Sequence, residues 1–218
     1  MNIAIIGTGH IGQGLAGALA RTRHGVVLGG RTPRQGQAAA ESVNQATGAL
    51  IQGADIATAV RSAAVVILAV PFDAVDAVLA AAGDLSGKIV VDPTNPLTAD
   101  YMSLTVGFNT SAAEQIQARV GEVPVVKAFN TVFASIYAEG PRFGEMPVQV
   151  FYAGNQTRVK EVVAELIRDA GFEPVDAGPL THARYLEPLA ALNIQFGYAL
   201  GRGTQIAPAW LARPPVAA

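Results

Sequence analysis

The chain has 218 residues, half of them hydrophobic and 15% charged, with a formal net charge of −2. This length suits one domain, or one with a small extension, and so much apolar material excludes a disordered chain. Near-neutrality excludes a global basic field for nucleic acid. The lack of cysteine rules out disulfides, thiolate metal sites and thiol nucleophiles. Three histidines, His10, His24 and His182, are too scattered for a His-rich metal site.

The chain opens MNIAIIGTGHIG, apolar at once and without a basic leader. Its longest apolar run, Ala63–Phe72, falls far short of the ~20 residues needed to cross a bilayer. The expectation is a soluble, cytoplasmic protein with no membrane or nucleic-acid partner. Short apolar runs predict strands at Asn2–Ile6, Val26–Gly29, Val65–Val70, Ile89–Asp92, Pro124–Lys127, Val148–Tyr152 and Glu173–Asp176, with a weak one at Ala49–Ile51. Alanine-rich segments between them predict helices at Ile11–Thr22, Gln35–Ala46, Asp55–Arg61, Ala74–Ala82, Ser111–Val120, Gln156–Ala170 and from His182 to about Leu200. Only the tail Arg213-Pro214-Pro215 reads as disordered. Strands alternating with helices of this length predict an α/β protein with a doubly wound, mostly parallel sheet. No linker divides the chain, so residues 1–218 are expected to form one dinucleotide-binding domain.

Gly7-Thr8-Gly9-His10-Ile11-Gly12 forms a G-x-G-x-x-G between the first strand and the first helix. In that setting Gly7 permits the tight turn, Gly9 lets the backbone approach a pyrophosphate and Gly12 lets helix and strand pack closely. The helix N-terminus offers free N–H groups and a positive dipole end to the phosphates. His10 reads as a polar loop residue beside them. An NAD-preferring site carries Asp or Glu at the end of the second strand. Here that position holds Gly30, followed by Arg31, Thr32 and Arg34, and no carboxylate occurs until Glu41. A small residue with two guanidinium groups and a hydroxyl suits the 2′-phosphate of NADP(H).

These residues, with ILAVPFDAV (67–75), IVVDPTNPL (89–97), VVKAFNT (125–131) and DAGPLTHARYLEPL (176–189), resemble the family of NADP-dependent oxidoreductases named for the deazaflavin coenzyme F420. The NADPH-binding domain of membrane metalloreductases is a more distant likeness. The resemblance implies an NAD(P)-binding Rossmann fold with Val70, Pro71, Phe72 and Asn95 facing the cofactor crevice. It also implies that Ala128 and Asn130 lie beside the nicotinamide. The sequence departs from the archaeal deazaflavin-reducing members at Asn130 and Phe133, where those members carry a histidine and a proline; Phe133 and His182 are candidate acceptor-side residues.

Residues 148–205 are expected to extend the sheet, complete the acceptor pocket and, as the resemblance implies, form a homodimer through the last helix. Leu186, Leu189, Leu192 and Phe196 are spaced for one apolar face of that helix, and Arg184 is placed to pair with Glu187 at i,i+3. No triad, carboxylate pair or metal cluster is legible, and hydride transfer requires none, so no catalytic residue is expected. The leading expectation is hydride transfer between NADP(H) and a flavin-like or deazaflavin acceptor. Reduction of a small imine or carbonyl is one alternative, with His182, Tyr185 or Tyr198 as proton donor. Reduction of a ferric or flavin substrate is another, and a non-catalytic NADPH-sensing module is a third.

Overall fold

The computed structural model describes residues 1–213. Pro214 and Pro215 of the tail expected to be disordered lie outside the described residues. The parallel strands are β1 (Asn2–Ile6), β2 (Gly25–Gly30), β3 (Gln52–Asp55), β4 (Val65–Leu68), β5 (Ile89–Asp92) and β6 (Val125–Ala128). A small hairpin follows, β7 (Arg142–Phe143) and β8 (Met146–Pro147), and then β9 (Gln149–Gly154) and β10 (Glu173–Asp176). The helices are α1 (His10–Ala20), α2 (Pro33–Thr47), α3 (Ile56–Arg61), α4 (Val75–Ala82), α5 (Ala112–Val120), α6 (Ala134–Glu139), α7 (Thr157–Asp169) and α8 (Ala183–Ile194), which runs on into a π-helical turn at Gln195–Ala199.

The sheet has eight strands in the order β10-β9-β6-β5-β4-β1-β2-β3. Its order reverses between β1 and β4, which makes the doubly wound topology and opens a crevice at their carboxyl ends. Side chains leave each strand alternately, so the two faces sort cleanly. Ile3, Ile5, Val65 and Ile67 join the core beneath α1, α2, α6 and α7. Ala4, Ile6, Val66 and Leu68 join the core beneath α3, α4 and α5. Helices on both faces explain why β4 is apolar at every position. Each fully buried Ile or Leu of these strands stabilises the fold by roughly 1.5–3 kcal/mol relative to exposure.

Three predicted elements are corrected. The weak strand at Ala49–Ile51 is in fact Gln52–Asp55, because Ile51 serves as a core side chain and its backbone is held by the Asn44 side chain. The true edge strand is hard to read since it lies directly on α2: a Cβ on Gly53 would sit 2.1 Å from the Gly36 carbonyl oxygen. The strand predicted to reach Val70 stops at Leu68, where Ala69 and Val70 turn to pack on the glycine loop. Between β6 and β9, α6 and the hairpin replace the expected crossover, so β9 runs antiparallel to β6 and β10 follows β9.

The last helix packs on its own sheet through Ala183, Leu186, Glu187 and Ala190, which are all buried. Leu192 does not join them and is 50% exposed. Together with Tyr185, Leu189 and Phe196 it forms a partly exposed stripe at i, i+4, i+7 and i+11. Among the described residues no helix is long and apolar enough to cross a membrane, and no group of three or more His, Asp or Glu could hold a metal ion.

Candidate functional site

At the switch point the chain leaves β1 through Gly7, whose φ of +127° lies in a region open to glycine. A Cβ there would sit 2.0 Å from the Ala69 carbonyl oxygen, and one on Gly12 would sit 2.0 Å from that of Gly7. Both glycines are therefore required for close backbone packing. Gly9 differs: a Cβ on it would meet nothing within 4 Å. It is the N-cap of α1 and offers no capping side chain, and the first turn holds no acidic residue. The N-terminus of α1 thus presents unpaired N–H groups and a positive dipole end to open space, which fits a pyrophosphate. Thr8 supports this turn through its carbonyl, which accepts from Gln13 Nε2 at 2.8 Å. Ile11 packs into the core and His10 is exposed at the head of the helix.

Beside it, β2 ends at the buried Gly30. Its missing side chain faces α2, since a Cβ would lie 2.6 Å from the Gly36 nitrogen. Gly30 is thus set by helix packing, a different reason from the clearance for phosphate expected from the sequence. Thr32 caps α2, its Oγ1 accepting from Gln35 N at 3.3 Å, which leaves its own O–H free to donate. Arg31 and Arg34 are exposed on either side of this N-terminus, and its first turn has no acidic residue. A dipole end flanked by two guanidinium groups fits a 2′-phosphate.

On the other side of the reversal, Val70 packs on Gly7. Pro71 is exposed, and Phe72 starts a short 3₁₀ turn with its ring against the α3–α5 core and the Arg119 guanidinium 6.0 Å from its centre. Phe72 thus packs on the α3–α5 side of the sheet. The next two strand ends are built from neutral polar groups. Asn95 Nδ2 donates to the Asn130 carbonyl at 2.8 Å and Asn130 Nδ2 donates back to Asn95 Oδ1 at 3.0 Å. Ala128 ends β6 fully buried, and Phe129 follows with a φ of +67°, left-handed for a residue with a Cβ. That kink turns the chain sharply as Asn130 reaches the strand edge.

Beneath these ends lies a buried ionic cluster. Lys127 Nζ donates to Asp92 Oδ2 at 2.7 Å, to Glu187 Oε1 at 2.8 Å and to the Thr94 carbonyl at 2.7 Å. Glu187 also accepts from Ala112 N at 3.0 Å and Ala113 N at 3.2 Å, the first turn of α5. Burial works to strip the Lys127 proton, but Asp92 and Glu187 outweigh it and hold the ammonium above its ordinary pKa. Burial also raises the Glu187 carboxyl, against the opposing pull of Lys127. Glu187 therefore does not pair with Arg184 as the i,i+3 spacing suggested. It lies on the buried face of α8 with Ala183 and Ala190, whereas Arg184 forks sideways onto Glu114 at 2.9 and 2.7 Å. That fork pulls the Glu114 carboxyl below its usual value.

Lys127 was not singled out from the sequence; Asp92 was read only as a strand end and Glu187 only as the i,i+3 partner of Arg184. A lysine inside the run Val-Val-Lys-Ala carries the signal, because a charge in a strand buried on both faces demands a partner.

The two acceptor-side candidates are not brought together with these groups. Phe133 is 7% exposed, wedged beside Gly197 and edge-on to Tyr198 at 5.7 Å, so its ring braces the core. His182 follows β10, which descends antiparallel to β6, and its Nδ1 bonds the Ala177 carbonyl. That turn is tied to the far end of β9, where Gly154 N donates to the Gly178 carbonyl and Leu180 N to Asn155 Oδ1. His182 thus closes a turn leading away from the carboxyl edge. By contrast, His10 shares a groove of about 500 Å³ with Gln13, Tyr137, Tyr198 and Thr204.

Known proteins resemble this chain in sequence and fold. The family described as "NADP oxidoreductase coenzyme F420-dependent" matches residues 2–96. An F420-dependent NADP reductase of Methanothermobacter thermautotrophicus is 32% identical over 207 residues, covering 89% of this chain and 88% of that protein. The metalloreductase STEAP3 of Rattus norvegicus is 33% identical over 187 residues, but this chain spans only 36% of its length. A crystal structure from Arthrobacter sp. fb24, provisionally assigned as an F420-dependent NADP reductase, superposes with a TM-score of 0.82 at 35% identity, covering 94% of this chain and 96% of that one. Glycine loop, strand order and end-to-end likeness converge: the chain belongs to the coenzyme F420-dependent NADP oxidoreductase family.

Proposed function

We propose that the protein binds NADP(H) across the carboxyl edge of β1, β2, β4, β5 and β6 and transfers hydride between it and a planar acceptor of the flavin or deazaflavin type. The observation that carries this reading is the uncapped N-terminus of α1, open above Gly9, with only amide and hydroxyl groups on the strand ends at Asn95 and Asn130. In the family setting, Gly7–Gly12 hold the pyrophosphate, Arg31, Thr32 and Arg34 the 2′-phosphate, and Val70, Pro71 and Phe72 one wall. Asn95, Ala128 and Asn130 border the nicotinamide.

When bound, NADPH supplies a hydride, which carries two electrons and one proton. The chain's part is to fix the reacting rings and limit water access. Neutral amides suit an acceptor ring that takes its second proton from solvent, and they favour this over carbonyl reduction, where a protein acid normally protonates the product. Coenzyme F420, named in the relatives, is the leading candidate acceptor, and the metalloreductase likeness makes ferric and flavin acceptors the next ones to try. We place the segment from Gln195 to Thr204 at the acceptor side. It is docked on the head of α6 by Ser135 Oγ, which bonds both the carbonyl and Oγ1 of Thr204 at 2.9 Å. The stripe of Tyr185, Leu189, Leu192 and Phe196 is read as a homodimer contact.

Stopped-flow loss of NADPH absorbance with the purified protein and a panel of deazaflavin, flavin, quinone and ferric chelate tests the reading. Accelerated loss with a deazaflavin or flavin is expected. No acceleration with any acceptor would sink it.

A further inference from the structure

Three polar atoms at the ends of β5 and β6 are buried without a protein partner: Thr94 Oγ1, Asn130 Oδ1 and Thr131 Oγ1. Their residues are 3%, 6% and 2% exposed. Buried polar groups are nearly always bonded, so free ones that follow two neighbouring strands at their carboxyl ends are groups awaiting a ligand. The side-chain bonds that Asn130 makes to the protein all run through its nitrogen. Its Nδ2 donates to Asn95 Oδ1 and to the Leu186 carbonyl, both at 3.0 Å. Leu186 precedes Glu187, which bonds Lys127, and Lys127 bonds the Thr94 carbonyl beside Asn95. The bonds close a ring through β5, β6 and α8, with one buried ammonium and two buried carboxylates at its base.

We propose that Lys127 and Glu187 are positioning residues for the nicotinamide end of the cofactor. They hold the Asn95–Asn130 pair so that Asn130 Oδ1 is left as an acceptor for a carboxamide N–H, and Thr94 Oγ1 as a donor to the carboxamide oxygen. Buried ion pairs replaced by neutral groups of similar volume often cost no stability, so a clamp for the helix alone would not need charges. What three charge-assisted bonds on one ammonium supply is a fixed geometry. The inference rests on the reading that NADP(H) binds at this edge.

The test uses the full chain with Asp92→Asn, Lys127→Met and Glu187→Gln combined, which removes the charges and nearly keeps the volume, and Glu187→Gln alone as the milder variant. Calorimetry compares NADPH with adenosine 2′,5′-bisphosphate, which lacks the nicotinamide half. For a folded variant the NADPH dissociation constant should rise about tenfold, while the bisphosphate constant stays within about twofold of wild type. Equal weakening of both ligands, or no weakening of NADPH, overturns the proposal. Failure of both variants to fold also overturns it, by making the cluster a structural clamp. A wild-type protein that binds neither ligand removes the NADP(H) reading itself, an outcome separable from the others.

Discussion

The two halves of the cofactor edge are made of opposite materials. Around β1, β2 and α1 the geometry is set by side chains that are missing: Gly7, Gly12, Gly30 and Gly36 let backbone lie on backbone at distances no Cβ would allow. Around β5, β6 and α8 it is set by side chains that are present, ionised and buried, with Lys127 reaching Asp92 at 35 residues' separation and Glu187 reaching α5 at 75. The first design sets backbone against backbone and tolerates no added atoms at these four glycines. The second is long-range, and it depends on each charge keeping its partner.

The sharpest way to break this comparison lies within the glycine loop itself. Gly12→Val would push a side chain into the Gly7 carbonyl and should destabilise the fold by about 3 kcal/mol, read as a large drop in melting temperature. Gly9→Ala adds an atom to open space and should cost less than about 1 kcal/mol, yet weaken NADPH binding at least tenfold because that space is where the phosphates would lie. If both variants lose stability alike, Gly9 is a packing glycine and the cradle is misread.

Next in size is the double variant Arg31→Ala/Arg34→Ala. NADPH binding should weaken by about tenfold to a hundredfold, while NADH binding stays nearly unchanged, since each contact proposed for these arginines is a charge-assisted bond to the 2′-phosphate alone. An equal loss for both cofactors in parallel titrations would refute that assignment. The smallest effect on the cofactor site is expected at the far face of α8. Leu192→Asp should convert a dimer to a monomer in light scattering and leave the melting temperature of the subunit close to wild type, because the side chain is half exposed. A wild-type protein that is already monomeric would dismiss the homodimer.

The strands that were plain in the sequence are those buried on both faces, such as Val65–Leu68, and those bounded by motifs, such as Asn2–Ile6 and Ile89–Asp92. The edge strand β3 was misplaced because its small residues answer to α2 and not to a core. The reversal of β9 was invisible, since β6 and β9 read alike whichever way they pair. At the site, the glycine loop and the missing acid after β2 were legible because their chemistry is written in consecutive residues. Arg184 and Glu187 were misread because i,i+3 spacing suggests a pair that the helix splits, one residue turned to Glu114 and the other inward to Lys127.

By itself, then, the sequence determined the alternation of strands and helices, the glycine turn after β1 and the lack of an acid after β2, because each is written in neighbouring residues. Only the tertiary structure decided which charges meet, that His182 lies on a turn leading away from the carboxyl edge and that Asn130 keeps an oxygen free. Those outcomes depend on segments far apart in the chain being packed face to face. Burial then forces every ionised group to find a partner, and the folded chain alone specifies which one.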